Sequence, residues 1–141
     1  MASLLPNTST SGVQYGFYHQ AAAYDGSPNY WHYKTNIALS TYIMVMIEAV
    51  GYSYGSDKPI RCAWNFYSYS YLAQASTQNM YSGLSADGVY VSSDGYVCIR
   101  ATGAPYFSGW IFNAYTLNPA GFGAVVSFTA VSRNSNSGNY Y

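Results

Sequence analysis

Charge is scarce in this chain of 141 residues, of which only 7% are charged. Five basic and five acidic residues give a formal net charge of zero. Proteins that bind nucleic acid need clustered Lys and Arg to neutralise phosphates, and a polybasic membrane anchor needs the same clustering. The basic residues here are scattered along the chain. We therefore expect neither nucleic acid nor a membrane among its partners.

Cysteine and long apolar runs are also in short supply. The two cysteines, Cys62 and Cys98, are too few for a disulfide framework. We expect both thiols to be free, because strand alternation points Cys62 inward and Cys98 to the other side of its strand. No run reaches the roughly 18 apolar residues of a membrane-spanning helix. The first residues lack the positive and apolar regions of a secretory signal, which predicts synthesis in a reducing cytoplasm.

Aromatic residues, in contrast, are abundant. They make up 19% of the chain, 18 of them are tyrosine, and half of all residues are hydrophobic. This composition excludes an intrinsically disordered chain, which has too little apolar surface to form a core. Tyrosine combines an apolar ring with a polar tip, so it favours half-buried surfaces and interfaces.

The composition changes at both ends of the chain. Residues 1–30 are rich in Ser, Thr, Gly, Asn and Ala, and residues 133–141 have a similar polar composition. We interpret them as an extended N-terminal arm and a polar C-terminal tail on either side of a β-sandwich domain at 31–132. The aromatic residues of the arm indicate that it packs on another surface.

Period-2 alternation with turn signals between the runs predicts an all-β fold. We place strands at 31–37, 42–52, 61–71, 89–91, 96–102, 110–117 and 124–132. The sequence Asp94-Gly95 predicts a hairpin, and Asp87-Gly88 a turn. Residues 72–86 show no strand pattern and are interpreted as a long loop or a helical turn. These elements predict an antiparallel β-sandwich or jelly roll of about seven to eight strands.

The strand at 42–52 is apolar on both faces. One face, formed by Ile43, Val45, Ile47 and Ala49, suits the core. The other face carries Tyr42, Met44 and Met46, which would remain in water in a monomer. We therefore predict that these three residues form the interface of a homo-oligomer. Glu48 interrupts the same face and, if buried, needs a partner such as Lys34, Arg61 or Arg100.

Two tyrosine clusters stand out. They comprise Tyr52 and Tyr54, and then Tyr67, Tyr69 and Tyr71, which strand alternation would place on one face with Asn65. Such a stripe has too many hydroxyl groups to suit a core and too many aromatic rings to suit a fully exposed surface. Two uses remain open. The clusters are either a subunit interface or a platform that stacks sugar rings and binds their hydroxyl groups.

Catalytic and metal motifs are weak. Gly51-Tyr-Ser53-Tyr-Gly55 matches a nucleophile elbow, but a turn and a strand follow it, and both histidines precede the serine. His19 and His32 have no nearby cysteine, and we interpret His32 as a structural or interface histidine rather than a metal ligand. A glycosidase pair of Glu48 with Asp25 rests on residue type alone. We predict no enzyme activity, no metal and no cofactor.

Several short motifs together resemble a family of β-domains from bacteriophage tail fibres and other virion fibres. They are His32-Tyr-Lys-Thr-Asn-Ile37, Met44-Val-Met-Ile-Glu-Ala-Val-Gly-Tyr-Ser-Tyr-Gly55, Ser92-Ser-Asp-Gly-Tyr-Val-Cys-Ile-Arg100, Phe107-Ser-Gly-Trp110 and Asn118-Pro-Ala-Gly121. The likeness spans about residues 31–131. One departure is Ala49-Val50-Gly51, where the family pattern has Glu-Gly.

The resemblance implies a non-enzymatic structural protein of a phage particle, such as a fibre, knob, decoration or adaptor. It implies localisation in the virion after synthesis in the bacterial cytoplasm, with other virion proteins as partners. It also implies a homotrimer, with a filament as the alternative assembly. A host-receptor or glycan-binding module that uses the tyrosine stripe is the alternative function.

Overall fold

The computed structural model describes the backbone of residues 13–21, 30–103, 108–118, 121–122 and 126–141, and the side chains of 30–103, 108–116 and 126–141. These residues form strands and turns without any helix. The strands are β1 (Val13–Ala21), β2 (Tyr30–Ala38), β3 (Met44–Ser53), β4 (Lys58–Ser68), β5 (Leu72–Ser82), β6 (Leu84–Val91), β7 (Tyr96–Gly103), β8 (Ser108–Asn118), β9 (Gly121–Phe122) and β10 (Phe128–Asn134).

The strands form two antiparallel sheets. The six-stranded sheet has the order β1-β8-β3-β4-β5, with β9 beside β8, and the four-stranded sheet has the order β10-β2-β7-β6. Rings from the two sheets meet between them: the Trp31 and Trp110 rings lie 5.8 Å apart and the Tyr33 and Phe112 rings 4.9 Å apart. The predicted all-β sandwich is confirmed.

Along β3, buried and exposed side chains alternate as the sequence predicts. Val45, Ile47 and Ala49 are buried between the sheets, while Met44 and Met46 point to the outside. The largest fully buried side chains are Trp64, Trp110, Tyr33, Ile37, Ile47 and Ile60. Both cysteines are free. The burial of these apolar side chains therefore stabilises the sandwich without a disulfide bond.

The interpretation of residues 72–86 as a loop or helical turn was wrong. These residues supply β5 and the start of β6. β5 is an edge strand of the six-stranded sheet and is exposed over most of its length. Because it has no buried face, its sequence shows no alternation of apolar and polar residues. Asp87-Gly88 forms no turn either, because Asp87 is an extra residue inside β6, between the paired residues Ala86 and Gly88. The predicted Asp94-Gly95 hairpin is confirmed, with Gly95 at φ +90°.

Both terminal segments contribute to the sheets. β1, inside the region predicted as an arm, pairs with β8. At the other end, β10 extends to Asn134, and residues 135–141 continue along the outer side of the four-stranded sheet. The rest of the predicted arm, residues 1–12 and 22–29, lies outside the described residues.

Irregular pairing marks the strands at the ends of both sheets. β1 shifts register between Gln14 and Phe17, β6 between Ala86 and Gly88, and β10 between Phe128 and Ala130. β5 contains two such shifts against β4. Each of these four edge strands therefore contains at least one β-bulge or other irregularity in its pairing.

Candidate functional site

The predicted interface residues lie on the outer face of the six-stranded sheet. Met44 is 48% exposed, Met46 is 39% exposed, and Tyr42, just before β3, is 45% exposed. Across the neighbouring strands, Met44 is paired with Tyr67 on β4, and Met46 with Tyr115 on β8. The face is thus built from methionine and tyrosine side chains on three adjacent strands.

Four tyrosines cluster at one end of this face. β4 ends at Ser68, so the prediction that strand alternation aligns Tyr69 and Tyr71 with Tyr67 was wrong. The turn after β4 brings them together instead: the Tyr67 and Tyr69 rings stack at 5.8 Å, and the Tyr69 ring meets Tyr71 at 5.8 Å and Tyr42 at 5.2 Å, both edge-on. We call Tyr42, Met44, Met46, Tyr67, Tyr69 and Tyr71 the Tyr–Met face.

Tyr52 and Tyr54 belong to a different part of the surface. Tyr52 lies at the far end of β3, about 26 Å from Met44 at roughly 3.3 Å per residue, and Tyr54 lies in the turn after β3. The Tyr52 hydroxyl is 3.5 Å from Asp57 Oδ1 in that turn. The six platform residues of the sequence analysis therefore do not form one continuous surface.

Asn65 lies beside Met46, and both the nitrogen and the oxygen of its side-chain amide form hydrogen bonds. Its Nδ2 donates to the Gln74 carbonyl at 3.1 Å, and its Oδ1 accepts from the Ser76 hydroxyl at 2.6 Å. These bonds tie β4 to β5 at an irregular stretch of the pairing. The arrangement gives Asn65 a structural role within the sheet.

Glu48 is bound by neutral donors rather than by a cation. Its Oε1 accepts from Asn113 Nδ2 at 3.2 Å and from the Tyr115 hydroxyl at 3.1 Å. The expected partners Lys34 and Arg100 pair instead with Asp94 and Asp87 in the four-stranded sheet. Glu48 lies on the outer face, where its carboxylate keeps some contact with water and needs no buried counter-ion.

The Gly51-x-Ser53-x-Gly55 motif forms a strand end. Ser53 is 0% exposed, and its Oγ accepts a hydrogen bond of 2.7 Å from Ser108 Oγ. A turn and then β4 follow, where a nucleophile elbow requires a helix. Gly51 is explained by the close approach of β8, since a Cβ there would lie 2.0 Å from the Gly109 carbonyl oxygen.

No metal centre is formed by the described side chains. Nowhere among them do three His, Cys, Asp or Glu residues converge. Both ring nitrogens of His32 are engaged, Nδ1 with the Tyr90 hydroxyl at 3.0 Å and Nε2 with the Asn136 carbonyl at 2.8 Å. Asp25 and the His19 side chain, named in the sequence analysis, lie outside the described residues.

The outer face of the four-stranded sheet is occupied by the C-terminal tail. Besides the bond from His32 to Asn136, Arg100 Nη1 donates to the Gly138 carbonyl at 2.9 Å, and the Tyr140 ring lies 5.4 Å from that of His32. His32 and Cys98 are both fully buried although they point away from the core. Apart from the two tyrosines at the chain end, no sequence pattern indicates this docking.

The charged groups are divided unequally between the two outer faces. The two ion pairs among the described residues, Lys34–Asp94 and Arg100–Asp87, belong to the four-stranded sheet. On the outer face of the six-stranded sheet, the described strands carry two charged side chains, Glu48 and Arg61, and Asp57 lies beside Tyr52 in the turn at the far end of β3. The Tyr–Met face therefore adjoins one acid and one base and is otherwise uncharged.

No protein-family model, curated protein or solved structure matches this chain. The described residues contain no apolar helix of membrane-spanning length. The candidate site consequently rests on geometry, and its main feature is the contrast between two outer faces. One is covered by the tail of the same chain, and the other presents methionine and tyrosine side chains to solvent.

Proposed function

We propose that this chain is a non-enzymatic structural protein of a bacteriophage particle that assembles with copies of itself through the Tyr–Met face. The observation that carries the self-assembly is the exposure of Tyr42, Met44 and Met46 together on one sheet. The assignment to a phage particle rests on the resemblance of the sequence motifs to virion-fibre β-domains.

The composition of the face suits association between proteins. Tyrosine and methionine are enriched at protein interfaces, and contiguous apolar patches on monomers mark interaction sites. The zero net charge of the chain adds little repulsion between copies. Covering Met44 and Met46 in a second subunit removes apolar surface from water, at roughly 25 cal/mol per Å².

The assembly proposed is a closed homotrimer in the virion, with other virion proteins at its ends, and a filament is the alternative. Closed rotational symmetry is the general rule for soluble homo-oligomers. The trimer follows from the resemblance to fibres. Nucleic acid and membranes have no part in this proposal, because the few charges of the chain are scattered or paired.

A carbohydrate- or receptor-binding module is the second candidate function. It is favoured by the solvent-exposed rings of the tyrosine cluster: Tyr71 is 60% exposed, and its ring stands edge-on to that of Tyr69. Exposed aromatic rings stack on the apolar faces of sugars, and their hydroxyl groups bind sugar hydroxyls. A glycan array with the wild type and Tyr71→Ala tests this role, and binding that the substitution abolishes would support it.

Analytical ultracentrifugation at micromolar concentration tests self-assembly. The wild type should sediment as an oligomer, and Met46→Glu should raise the dissociation constant at least about tenfold, because it places a charge in a desolvated contact. Met80→Glu is the matched control: Met80 is exposed on β5, outside the Tyr–Met face. The control should assemble as the wild type does.

Two results would contradict the proposal. One is a wild-type protein that remains a soluble monomer at these concentrations. The other is an equal loss of assembly in Met46→Glu and Met80→Glu, which would show an effect of added charge rather than of this face.

A further inference from the structure

We propose that neighbouring copies are held in register by an ion pair between Glu48 of one copy and Arg61 of the next. This inference rests on the proposed self-assembly and names the partner as a second copy of the same face.

Glu48 and Arg61 are diagonal neighbours on the outer face. In the β3–β4 ladder Glu48 is opposite Ala63, and Arg61, two residues before Ala63 on β4, is opposite Val50. Diagonal positions in an antiparallel pair lie about 7–8 Å apart on the same face. Glu48 also directly follows the row that contains Met46, so this pair borders the Tyr–Met face.

Glu48 and Arg61 do not pair with each other within the subunit. The Glu48 carboxylate is turned toward β8, where Asn113 and Tyr115 donate to its Oε1. Arg61 is exposed and forms no ion pair with any described residue. The subunit therefore offers one carboxylate and one guanidinium, side by side, whose charges are not compensated by each other.

This pattern selects the partner. A protein that covers the face removes water from both charges, and a desolvated charge is tolerated only beside an opposite one. The assembly must therefore bring a cation to Glu48 and an anion to Arg61, either from one copy across a two-fold axis or from the two neighbouring copies of a trimer. A second copy of the face carries this complementary pair. In a dimer the contact would form twice across the axis, and in a trimer once at each junction.

Charge reversal tests the contact. We expect Glu48→Arg and Arg61→Glu each to raise the dissociation constant of the oligomer tenfold or more in sedimentation equilibrium. The double variant Glu48→Arg/Arg61→Glu should return to within about threefold of the wild type, since it restores the pair with inverted sign. Circular dichroism of each variant verifies folding.

Lys58→Glu is the matched control for Arg61→Glu. It makes the same change in net charge at the exposed start of β4, next to the turn at the far end of the sheet. It should assemble like the wild type. If Lys58→Glu weakens assembly as strongly as Arg61→Glu, the effect belongs to net charge and the proposed contact is overturned.

The outcomes separate this inference from the proposed function. Single variants that assemble normally, while Met46→Glu does not, would overturn the ion pair and leave the Tyr–Met face in place. Single variants that fail without recovery in the double variant would also overturn the pair. A monomeric wild type would instead remove the proposed function itself.

Discussion

The Nε2 atom of the buried His32 ring donates a hydrogen bond to the backbone carbonyl of Asn136, which lies 104 residues later in the chain. The other ring nitrogen accepts from the Tyr90 hydroxyl on β6. The neutral form of the ring thus joins the four-stranded sheet to the C-terminal tail.

Lowering the pH should destabilise the protein through this ring. Burial lowers the pKa of His32 from 6.5, the Arg100 charge lowers it further, and the Asn136 carbonyl and Asp87 act in the opposite direction. The unfolded chain therefore takes up this proton at a higher pH than the folded chain does. The stability that the neutral ring contributes is complete above about pH 6.5 and is lost as the pH falls through the lowered folded pKa.

Urea unfolding at about pH 7.5 and about pH 5 measures this effect, and hydrogen exchange reports the release of residues 135–141. The neighbouring pair Lys34–Asp94 does not interfere, because the pKa of Asp94 is lowered from 3.8 and lies below this range. His32→Asn should show a smaller dependence on pH. An equal dependence in the variant and the wild type would contradict the assignment to His32.

Deleting residues 135–141 should expose one thiol and not the other. Burial raises the pKa of Cys62 to about 12 and that of Cys98 to about 11, so both are unreactive thiols at neutral pH. Cys98 lies on the outer face beside Tyr90, whose hydroxyl is approached by the Tyr141 amide. Cys62 lies in the core.

We expect Ellman's reagent to modify Cys98 in the truncated protein and neither cysteine in the full chain. Cys98→Ser in the truncated background should remove the reaction. A truncated protein in which both cysteines react at the same rate has unfolded globally, and this result would contradict a tail that covers only the outer face.

Gly51→Ala should be more damaging than Gly95→Ala. A Cβ at Gly51 would lie 2.0 Å from the Gly109 carbonyl oxygen and 2.6 Å from the Trp110 Cα, so β3 and β8 would have to separate. We expect a loss of about 3 kcal/mol or more, as for other severe overpacking. A Cβ at Gly95 meets no atom within 4 Å, and only its positive φ is unfavourable, at about 1–2 kcal/mol. Thermal unfolding of both variants gives the comparison, and equal losses would contradict it.

Arg100→Lys should loosen the tail while keeping the charge. The guanidinium donates from Nε to Asp87 Oδ2 at 2.6 Å and from Nη1 to the Gly138 carbonyl at 2.9 Å. A lysine ammonium is a compact charge and cannot reproduce this fork. We expect a loss of about 1 kcal/mol in urea unfolding and faster amide exchange in the tail. Lys34→Arg, at the other ion pair, is the control and should change stability by less than about 0.5 kcal/mol.

The sequence predicts well those strands that have one buried face. β3 was predicted because Val45, Ile47 and Ala49 alternate with outward residues, and this alternation exists only where one face meets a core. β5 was missed because a mostly exposed border strand has no such pattern. The bulge at Asp87 hid the first half of β6 for a related reason, since an extra residue breaks the period.

The surface sites depend on contacts that no local pattern encodes. The tyrosine cluster was predicted from spacing, but the turn after β4, rather than alternation, brings Tyr69 and Tyr71 to Tyr67. The docking of the tail on His32 joins residues from opposite ends of the chain. The sequence predicts a cation as the partner of Glu48, because a buried carboxylate usually needs an opposite charge. Its partners are instead two neutral groups of β8.

The register shifts in β1, β5, β6 and β10 have a consequence for growth by strand addition. A regular edge strand presents an unbroken row of unpaired backbone N–H and C=O groups, on which a strand of another molecule can continue the sheet. Amyloid propagates by such strand addition. With only 7% charged residues, the chain has little electrostatic protection against that process. The interrupted ladders supply a geometric barrier, so concentrated solutions should stay free of thioflavin-positive fibrils, and subunits should separate again on dilution.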